Sequence, residues 1–428
     1  MIDRVKWCKI DHQTTQLQTR GARVSPIYLL NITGQDRVGL TRDIFAVIGD
    51  LDVRILDIGQ SVIHNQVSQG MMLQLPDGPE HQQILEQLQA QASALHLKVN
   101  ISPVDIQDYQ HWVGQQGADR YTLTLLTREV SAEEIARVTQ AMVEHDLNIH
   151  DIARLSGRLP VDQPISNEVK SCVEFSLQGR PKDIAAMRAS FLKIASELDV
   201  DIAIQEDNAF RRSRRLVCFD MDSTLIDAEV IDELARHAGV GAEVAAITDQ
   251  AMRGELDFRQ SFIRRMSLLK GLSETVLEQV AAELPIMEGA ECLIKNLKAY
   301  GFKTAILSGG FTYFGKHLQQ RFGIDHVYAN QLEIVDGQLT GRVIEPVVDG
   351  ARKAELLYEL ARLEGVDAQQ TIAVGDGAND LPMLSAAGLG IAFRAKPLVR
   401  EAAKQSMSTH GLDSILYLLG YKDKDILR

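Results

Sequence analysis

Val217-Cys218-Phe219-Asp220-Met221-Asp222-Ser223-Thr224-Leu225 is the stretch whose reading decides the fold of the larger part of the chain. The short apolar run from Leu216 to Phe219 reads as a buried parallel strand. It delivers two carboxylates, two residues apart, into the loop at its C-terminal end, where open α/β sheets place their ligand sites. The hydroxyls of Ser223 and Thr224 follow, and a helical pattern begins near Ala228. A carboxylate pair at this spacing can divide labour, one attacking while the other moves a proton. A solvated acidic loop after a strand fits the same letters, so the downstream sequence has to decide.

Downstream, apolar periodicity predicts helix from about Ala228 to Tyr300, interrupted near Asp249 to Asp257 and at Pro285. That is too much helix for a simple crossover between parallel strands and fits an inserted cap. Within it Phe258 and Phe262 are four apart and should pack, while the adjacent Arg264 and Arg265 must point different ways. A strand at Lys303 to Leu307 runs into Ser308-Gly309-Gly310-Phe311-Thr312. A hydroxyl and two glycines before a helix make a phosphate cradle of N–H groups, and also an ordinary strand-to-helix turn. Alternation over Val327 to Val343 around Asp336-Gly337 signals a hairpin. Lys353 begins a helix over Ala351 to Leu363; solvated it is unremarkable, buried beside a phosphate it would stabilise phosphoryl-transfer charge. The strand Thr371 to Val374 then ends in Gly375-Asp376-Gly377-Ala378-Asn379-Asp380 before a helix at Leu381. Asp376 and Asp380 could hold a hard cation through oxygen, and Asn379 offers both donor and acceptor.

The N-terminal half carries a different pattern. Residues 1–23 are polar and read as a loosely structured arm. Two βαββαβ units follow, over 24–106 and 118–207, which align at a shift of 94 residues: Leu29 with Leu123, Thr33 with Thr127, Asp52 with Asp146, Ile58 with Ile152. An internal duplication explains this most simply. Gln107 to Gly117 is expected to link the units, and Asn208 to Arg215, with four arginines, leads into the last domain, 214–428. In the first unit Gly34, Asp36 and Gly39 follow the first strand, where glycine lets a small ligand approach the backbone. A turn and helix start with no ligand would need the same glycines. The second unit has Arg128, Val130 and Glu133 at those positions.

Composition bounds the rest. At 428 residues the chain has room for roughly three domains. A net charge of −13 argues against nucleic acid or an anionic membrane as partner. No run of 18 apolar residues spans a membrane, and Met1-Ile2-Asp3-Arg4-Val5-Lys6 lacks the apolar core of a signal peptide. Cys8, Cys172, Cys218 and Cys292 form no C-x-x-C pair, which points to a reducing cytoplasm.

Taken in order, strand-D-M-D-S-T, strand-S-G-G, Lys353 and strand-G-D-G-A-N-D-L resemble the four motifs of the haloacid dehalogenase superfamily over about 214–428. The duplicated units resemble ACT domains, small amino-acid-binding modules. The resemblance implies a Rossmann-like α/β core with a parallel sheet and a helical cap over about 228–295, preceded by two α+β ferredoxin-like ACT domains. Together with Glu229 and Met266-Ser267-Leu268-Leu269-Lys270-Gly271, the motifs look like the phosphoserine-hydrolysing branch of that superfamily. By that resemblance Asp220 is the nucleophile and Asp222 the acid and base. Mg2+ is held by Asp220, the Asp222 backbone carbonyl and Asp376, with Asp380 supporting from behind. Ser308, Gly309, Gly310, Lys353 and Asn379 surround the phosphoryl group. Glu229 takes the substrate ammonium and Arg265 its carboxylate, with Met252 and Phe258 as apolar cap contacts. The resemblance further implies the last step of serine biosynthesis, a possible L-serine effector at Gly34, Asp36 and Gly39, and a homodimer. Two alternatives stay open: a related phosphatase acting on another small phosphomonoester, and an amino-acid-sensing regulator whose catalytic half is inert.

Overall fold

The computed structural model describes residues 25–114, 119–158, 162, 170–253 and 255–428, without the side chain of Met252. The expected arm over 1–23 and the end of the expected link therefore lie outside the described residues. Two compact units divide the chain, within 1–117 and 118–428.

The first unit runs β1 (Ile27–Gln35), α1 (Leu40–Phe45), β2 (Arg54–Ile63), β3 (Gln66–Gln74), α2 (Glu80–Ala94), β4 (Lys98–Val104) and α3 (Ile106–Gly114). Its antiparallel sheet has the order β2-β3-β1-β4. One face buries Leu30, Ile32, Met71 and Leu73 against Leu40, Ile44, Leu85 and Leu88 of the two helices. Gly34 has a packing reason: a Cβ there would lie 2.5 Å from the Leu97 side chain. Gly39 has a conformational one, φ +85° at the start of α1. The link expected from Gln107 onward is instead α3. Asp105 accepts from the Gln107 and Asp108 N–H groups and so caps it, and Tyr109 packs on Trp112.

The second unit opens on the repeat of that fold: β5 (Arg120–Thr127), α4 (Ala132–Glu144), β6 (Leu147–Arg154), β7 (Ser171–Gly179), α5 (Ile184–Leu198) and β8 (Asp201–Glu206), in the order β6-β7-β5-β8. Both copies carry the same bulge, at Ile55/Asp57 against β3 and at Ile149/Asp151 against β7. The helix starts differ. Ser131 and Glu134 form a reciprocal capping box on α4, which explains why no glycine is needed where the first copy has Gly39.

A six-stranded sheet, entirely parallel, follows: β9 (Leu216–Phe219), β10 (Lys303–Phe311), β11 (His326–Asn330), β14 (Thr371–Gly375), β15 (Leu389–Phe393) and β16 (Gln405–Met407) in the order β11-β10-β9-β14-β15-β16. Between β9 and β10 lie α6 (Val230–Ala238), α7 (Gly241–Met252), α8 (Phe258–Leu268), α9 (Thr275–Glu283) and α10 (Ala290–Ala299). Then come α11 (Thr312–Phe322), the hairpin β12 (Leu332–Val335) and β13 (Gln338–Val343), α12 (Gly350–Leu363), α13 (Leu381–Ala386), α14 (Pro397–Ala402) and α15 (Ile415–Leu418). Asp336 and Gly337 turn the hairpin with φ 49° and 73°, but it is shorter than expected, because Val327 belongs to the parallel β11. Ser308 to Phe311 also continue β10 rather than leaving it as a turn. Every residue of β9 is wholly buried. With β10 on one side and β14 on the other, β9 marks the point where strand order reverses, and a crevice opens there at the carboxyl ends. No helix among the described residues is long and apolar enough to cross a membrane.

The second small sheet is built into this core. Seven of the eight β5 residues are buried, and Leu126, Cys172 and Ala203 share a cluster with Val217, Met407 and Tyr417. The free edge of β8 meets Gln405, whose side-chain amide accepts from the Ile204 N–H at 3.0 Å and donates to its carbonyl. Asp201, 4% exposed, accepts from the N–H of Ser408 at 2.6 Å and of Thr409 at 3.1 Å, and lies 3.1 Å from Nδ1 of His410. Replacing Asp201 by Ala removes the one carboxylate that these three groups share. Urea unfolding should show a loss of about 2 kcal/mol; unchanged stability would mean the carboxylate contributes nothing to the docking.

Candidate active site

Three strand ends converge in the crevice. β9 delivers Asp220 and Asp222, β10 delivers Ser308 to Gly310, and β14 delivers Gly375 to Asp380. The loop after β9 folds back on itself through bonds from the N–H groups of Thr224, Leu225 and Ile226 to the Met221 carbonyl. Ser223 is forced to φ 55°, a left-handed conformation that costs a non-glycine residue free energy. Its hydroxyl donates to Glu229 Oε1 at 2.9 Å. Asp222 Oδ1 accepts from the N–H of Val230 at 2.9 Å, in the first turn of α6, which fixes the carboxyl where a helix start favours negative charge.

Lys353 binds the parts together. It is wholly buried, with Nζ 2.9 Å from Asp220 Oδ1 and 2.6 Å from Asp380 Oδ1. Burial alone would lower its pKa; the two carboxylates outweigh burial and raise it, so the ammonium stays charged. Asp349 caps α12 through the Arg352 N–H and so sets the helix that carries Lys353. That cap was legible as an Asp before a helix, and sequence reasoning passed over it.

Lys353 faces four carboxyls. Burial first, then the Asp380 charge, push Asp220 well above the ordinary carboxylate range. Burial and Glu229 raise Asp222 to about 7, and burial and Asp380 raise Asp376 to about 7. Asp376 also accepts from the Thr224 hydroxyl at 3.1 Å. Oxygens of Asp220, Asp376 and Asp380 lie within 4.8 Å of one another, an all-oxygen set with unbalanced negative charge that suits a hard divalent cation. Both Asp380 oxygens already have donors, Lys353 and the Gly377 N–H, so Asp380 is placed to support such a site from behind.

Opposite, Ser308 is wholly buried and its Oγ accepts from the Gly310 N–H at 2.9 Å, leaving its own proton to donate. The two glycines are required by space. A Cβ on Gly310 would lie 2.4 Å from Asp222 Oδ2, and one on Gly309 would lie 3.0 Å from the Phe258 ring. Phe258 therefore reaches down from α8 onto the cradle, stacked on Phe262 at 6.0 Å as its spacing suggested. Arg265, on the same helix, faces the charges of Glu229, Asp232 and Asp222. Its Nε is buried with no protein partner. Asp232 was not singled out from the sequence. Asn379 lies in the Gly375-to-Asp380 loop, where its backbone crowds Gly350 at the start of α12. The Met252 side chain is outside the described residues. Gly34, Asp36 and Gly39 belong to the first unit.

A parallel sheet with a switch-point crevice, a helical insertion after the first strand and a lysine-bridged aspartate pair define a hydrolase of the haloacid dehalogenase type. Family models agree: residues 217–385 match haloacid dehalogenase-like hydrolase, and residues 27–102 and 120–205 each match an ACT domain. A phosphoserine phosphatase of Streptomyces coelicolor is 40% identical over 401 residues, covering 94% of each chain. One of Mycobacterium tuberculosis is 38% identical, covering 92% of each. The chain belongs to the phosphoserine phosphatase family. Among solved structures, a probable phosphoserine phosphatase of Vibrio cholerae matches 70% of this chain and 86% of its own with 35% identity and a TM-score of 0.56. A haloacid-dehalogenase-family hydrolase of Salmonella enterica matches 70% and 98% with 32% identity and a TM-score of 0.60. Phosphatases of this superfamily generally need a divalent metal, which the acidic cluster fits.

The raised carboxyls have a measurable consequence. Asp222 and Asp376 bind protons in the folded chain up to about pH 7 but in the unfolded chain only to about pH 4. Stability of the metal-free protein therefore falls as pH rises between those values. A divalent cation should raise the melting temperature more at pH 8 than at pH 5. Equal shifts at both would contradict a site built from these carboxyls.

Proposed function

We propose that the chain hydrolyses O-phospho-L-serine to L-serine and phosphate through a phosphorylated Asp220, using Mg2+. The observation that carries the reading is the wholly buried Lys353 held by Asp220 and Asp380 beside a carboxyl, Asp222, that titrates near neutrality. Asp220 attacks the phosphorus, and its bond to the serine oxygen breaks. Asp222 gives that oxygen a proton on departure and later takes one from the water that hydrolyses the acyl phosphate. A pKa near 7 suits both directions of that transfer. Ser308, the Gly309 N–H and Lys353 hold the phosphoryl oxygens as charge spreads, with Gly310 leaving room for Asp222 and Asn379 bonding in the phosphate region. Mg2+, bound by Asp220, the Asp222 carbonyl and Asp376, would offset the repulsion between carboxylate and phosphate dianion.

The amino-acid end of the substrate explains the charges on the cap side. Glu229, fixed by Ser223, receives the ammonium. Arg265, with an unpartnered buried Nε, receives the carboxylate. Phe258 supplies the apolar wall between them. The same reading makes the first ACT domain the candidate for an L-serine effector, through Gly34, Asp36 and Gly39. It also makes the protein a cytoplasmic homodimer serving serine biosynthesis.

Two substitutions test the assignment. Asp220→Asn should abolish magnesium-dependent phosphate release, a loss of at least about 10^4-fold; wild-type-like turnover would remove the nucleophile. Arg265→Ala should raise KM for phosphoserine about tenfold or more while leaving a phosphate ester without a carboxylate little changed. Equal effects on both esters would take Arg265 out of the carboxylate site.

A further inference from the structure

The parallel ladder between β10 and β11 breaks where the phosphate cradle begins. Leu307 pairs with Tyr328, and the next pair is Phe311 with Asn330, so Ser308, Gly309 and Gly310 bulge out without β11 partners. Backbone groups freed this way need other partners. The side chain of Asn330, 2% exposed, fills the gap. Its Nδ2 donates to the Gly309 carbonyl at 2.8 Å, and its Oδ1 accepts from the Val348 N–H at 2.8 Å. The two partners fix the amide orientation, because only the NH2 end can meet a carbonyl and only the oxygen can meet an N–H.

The two contacts lie on the cradle after β10 and on the segment that leads into α12. The Gly309 carbonyl belongs to the same peptide plane as the Gly310 N–H, which bonds Ser308 Oγ at 2.9 Å. Val348 precedes Asp349, the cap of α12, and α12 carries Lys353. The Val348 carbonyl also lies 3.6 Å from where a Cβ on Gly309 would stand, so the two segments run side by side. Thr312 secures the far side, its hydroxyl donating to the carbonyls of Ala329 at 2.8 Å and Asn330 at 3.1 Å.

We infer that Asn330 is a positioning residue for phosphoryl transfer, clamping the Ser308–Gly310 cradle to the segment that aims Lys353. Its side-chain bonds go to the backbone of Gly309 and Val348. Its amide sets the plane of the Gly309–Gly310 peptide, and through Ser308 and Lys353 it sets the spacing of the donors that meet the phosphoryl oxygens. A misplacement of about 1 Å in such donors costs on the order of a hundredfold in rate. The inference rests on the phosphatase reading of the site, and its test separates the two.

Asn330→Asp keeps an acceptor for the Val348 N–H and loses the donor to the Gly309 carbonyl; Asn330→Ala loses both. The full-length protein and both variants would be compared by kcat and KM for phosphoserine, by calorimetric binding of orthovanadate, and by thermal unfolding. Asn330→Asp should lower kcat by about tenfold or more with a smaller change in KM. Vanadate binding should weaken in parallel, and Asn330→Ala should lose more of both. Wild-type kcat and vanadate affinity in a folded Asn330→Asp would overturn the inference. So would a lowered melting temperature in variants whose folded fraction keeps wild-type constants, since that is support for the fold alone. Wild-type protein that binds vanadate yet leaves phosphoserine intact would sink the substrate reading, and the vanadate series would still judge Asn330. Wild-type protein that binds no vanadate would sink both.

Discussion

A lysine with no exposed surface sits between two aspartates, and the rest of the catalytic half is arranged so that this can persist. Removing an ammonium from water is expensive, and the cost is offset here only because Asp220 and Asp380 stand within 3 Å of it. Each partner comes from a different strand end, and the lysine from a helix capped by Asp349. The trio is therefore possible only if β9, β14 and α12 meet at one point. The same arrangement buries Asp222 and Asp376 and leaves other carboxyls beside them, and burial first, then that charge, raises both toward neutrality. A pair of carboxyls that would titrate near pH 4 in water thus becomes a proton-exchanging, cation-seeking site.

The duplicated N-terminal folds show how one backbone plan serves two ends. Their sheets have the same order and the same bulge. In the second copy β5 is buried on both faces, and the edge of β8 is closed by Gln405 and by Asp201 with Ser408, Thr409 and His410. An open strand edge exposes unpaired backbone groups; here a single glutamine amide stands in for the missing strand. In the first copy β1 is only partly buried; Gly34 is paired near its end, and Asp36 and Gly39 follow in the turn before α1.

Much of the catalytic site was legible because its chemistry concentrates at strand ends, where motif letters and hydrophobic periodicity coincide. Asp220, Ser308, Asp376 and Asp380 stand in such places, Lys353 stands near the start of α12, and the structure gathers them around one crevice. What escaped depends on tertiary neighbours. Asn330 looks like any polar residue at the end of a strand until Gly309 and Val348 are seen on either side of it. The strands β15 and β16 are short, and their role at the sheet edge depends on what docks there. The Ser308-to-Phe311 segment read as a turn because glycine pairs usually mark one, whereas here they bulge within β10 to make room for Asp222 and Phe258. The helix α3 was the avoidable miss: Asp105 ahead of Ile106, Tyr109 and Val113 is a cap followed by helical spacing.

Asp220 as the group that becomes phosphorylated is the central claim about this site. The direct measurement is acid quenching of the enzyme during turnover of phosphorus-labelled phosphoserine with magnesium, followed by mapping of the labelled peptide. The account predicts acid-stable, hydroxylamine-labile phosphate on the peptide containing Asp220, absent when magnesium is chelated. Steady magnesium-dependent turnover with no covalent phosphate trapped by the quench, or label on another residue, would contradict it.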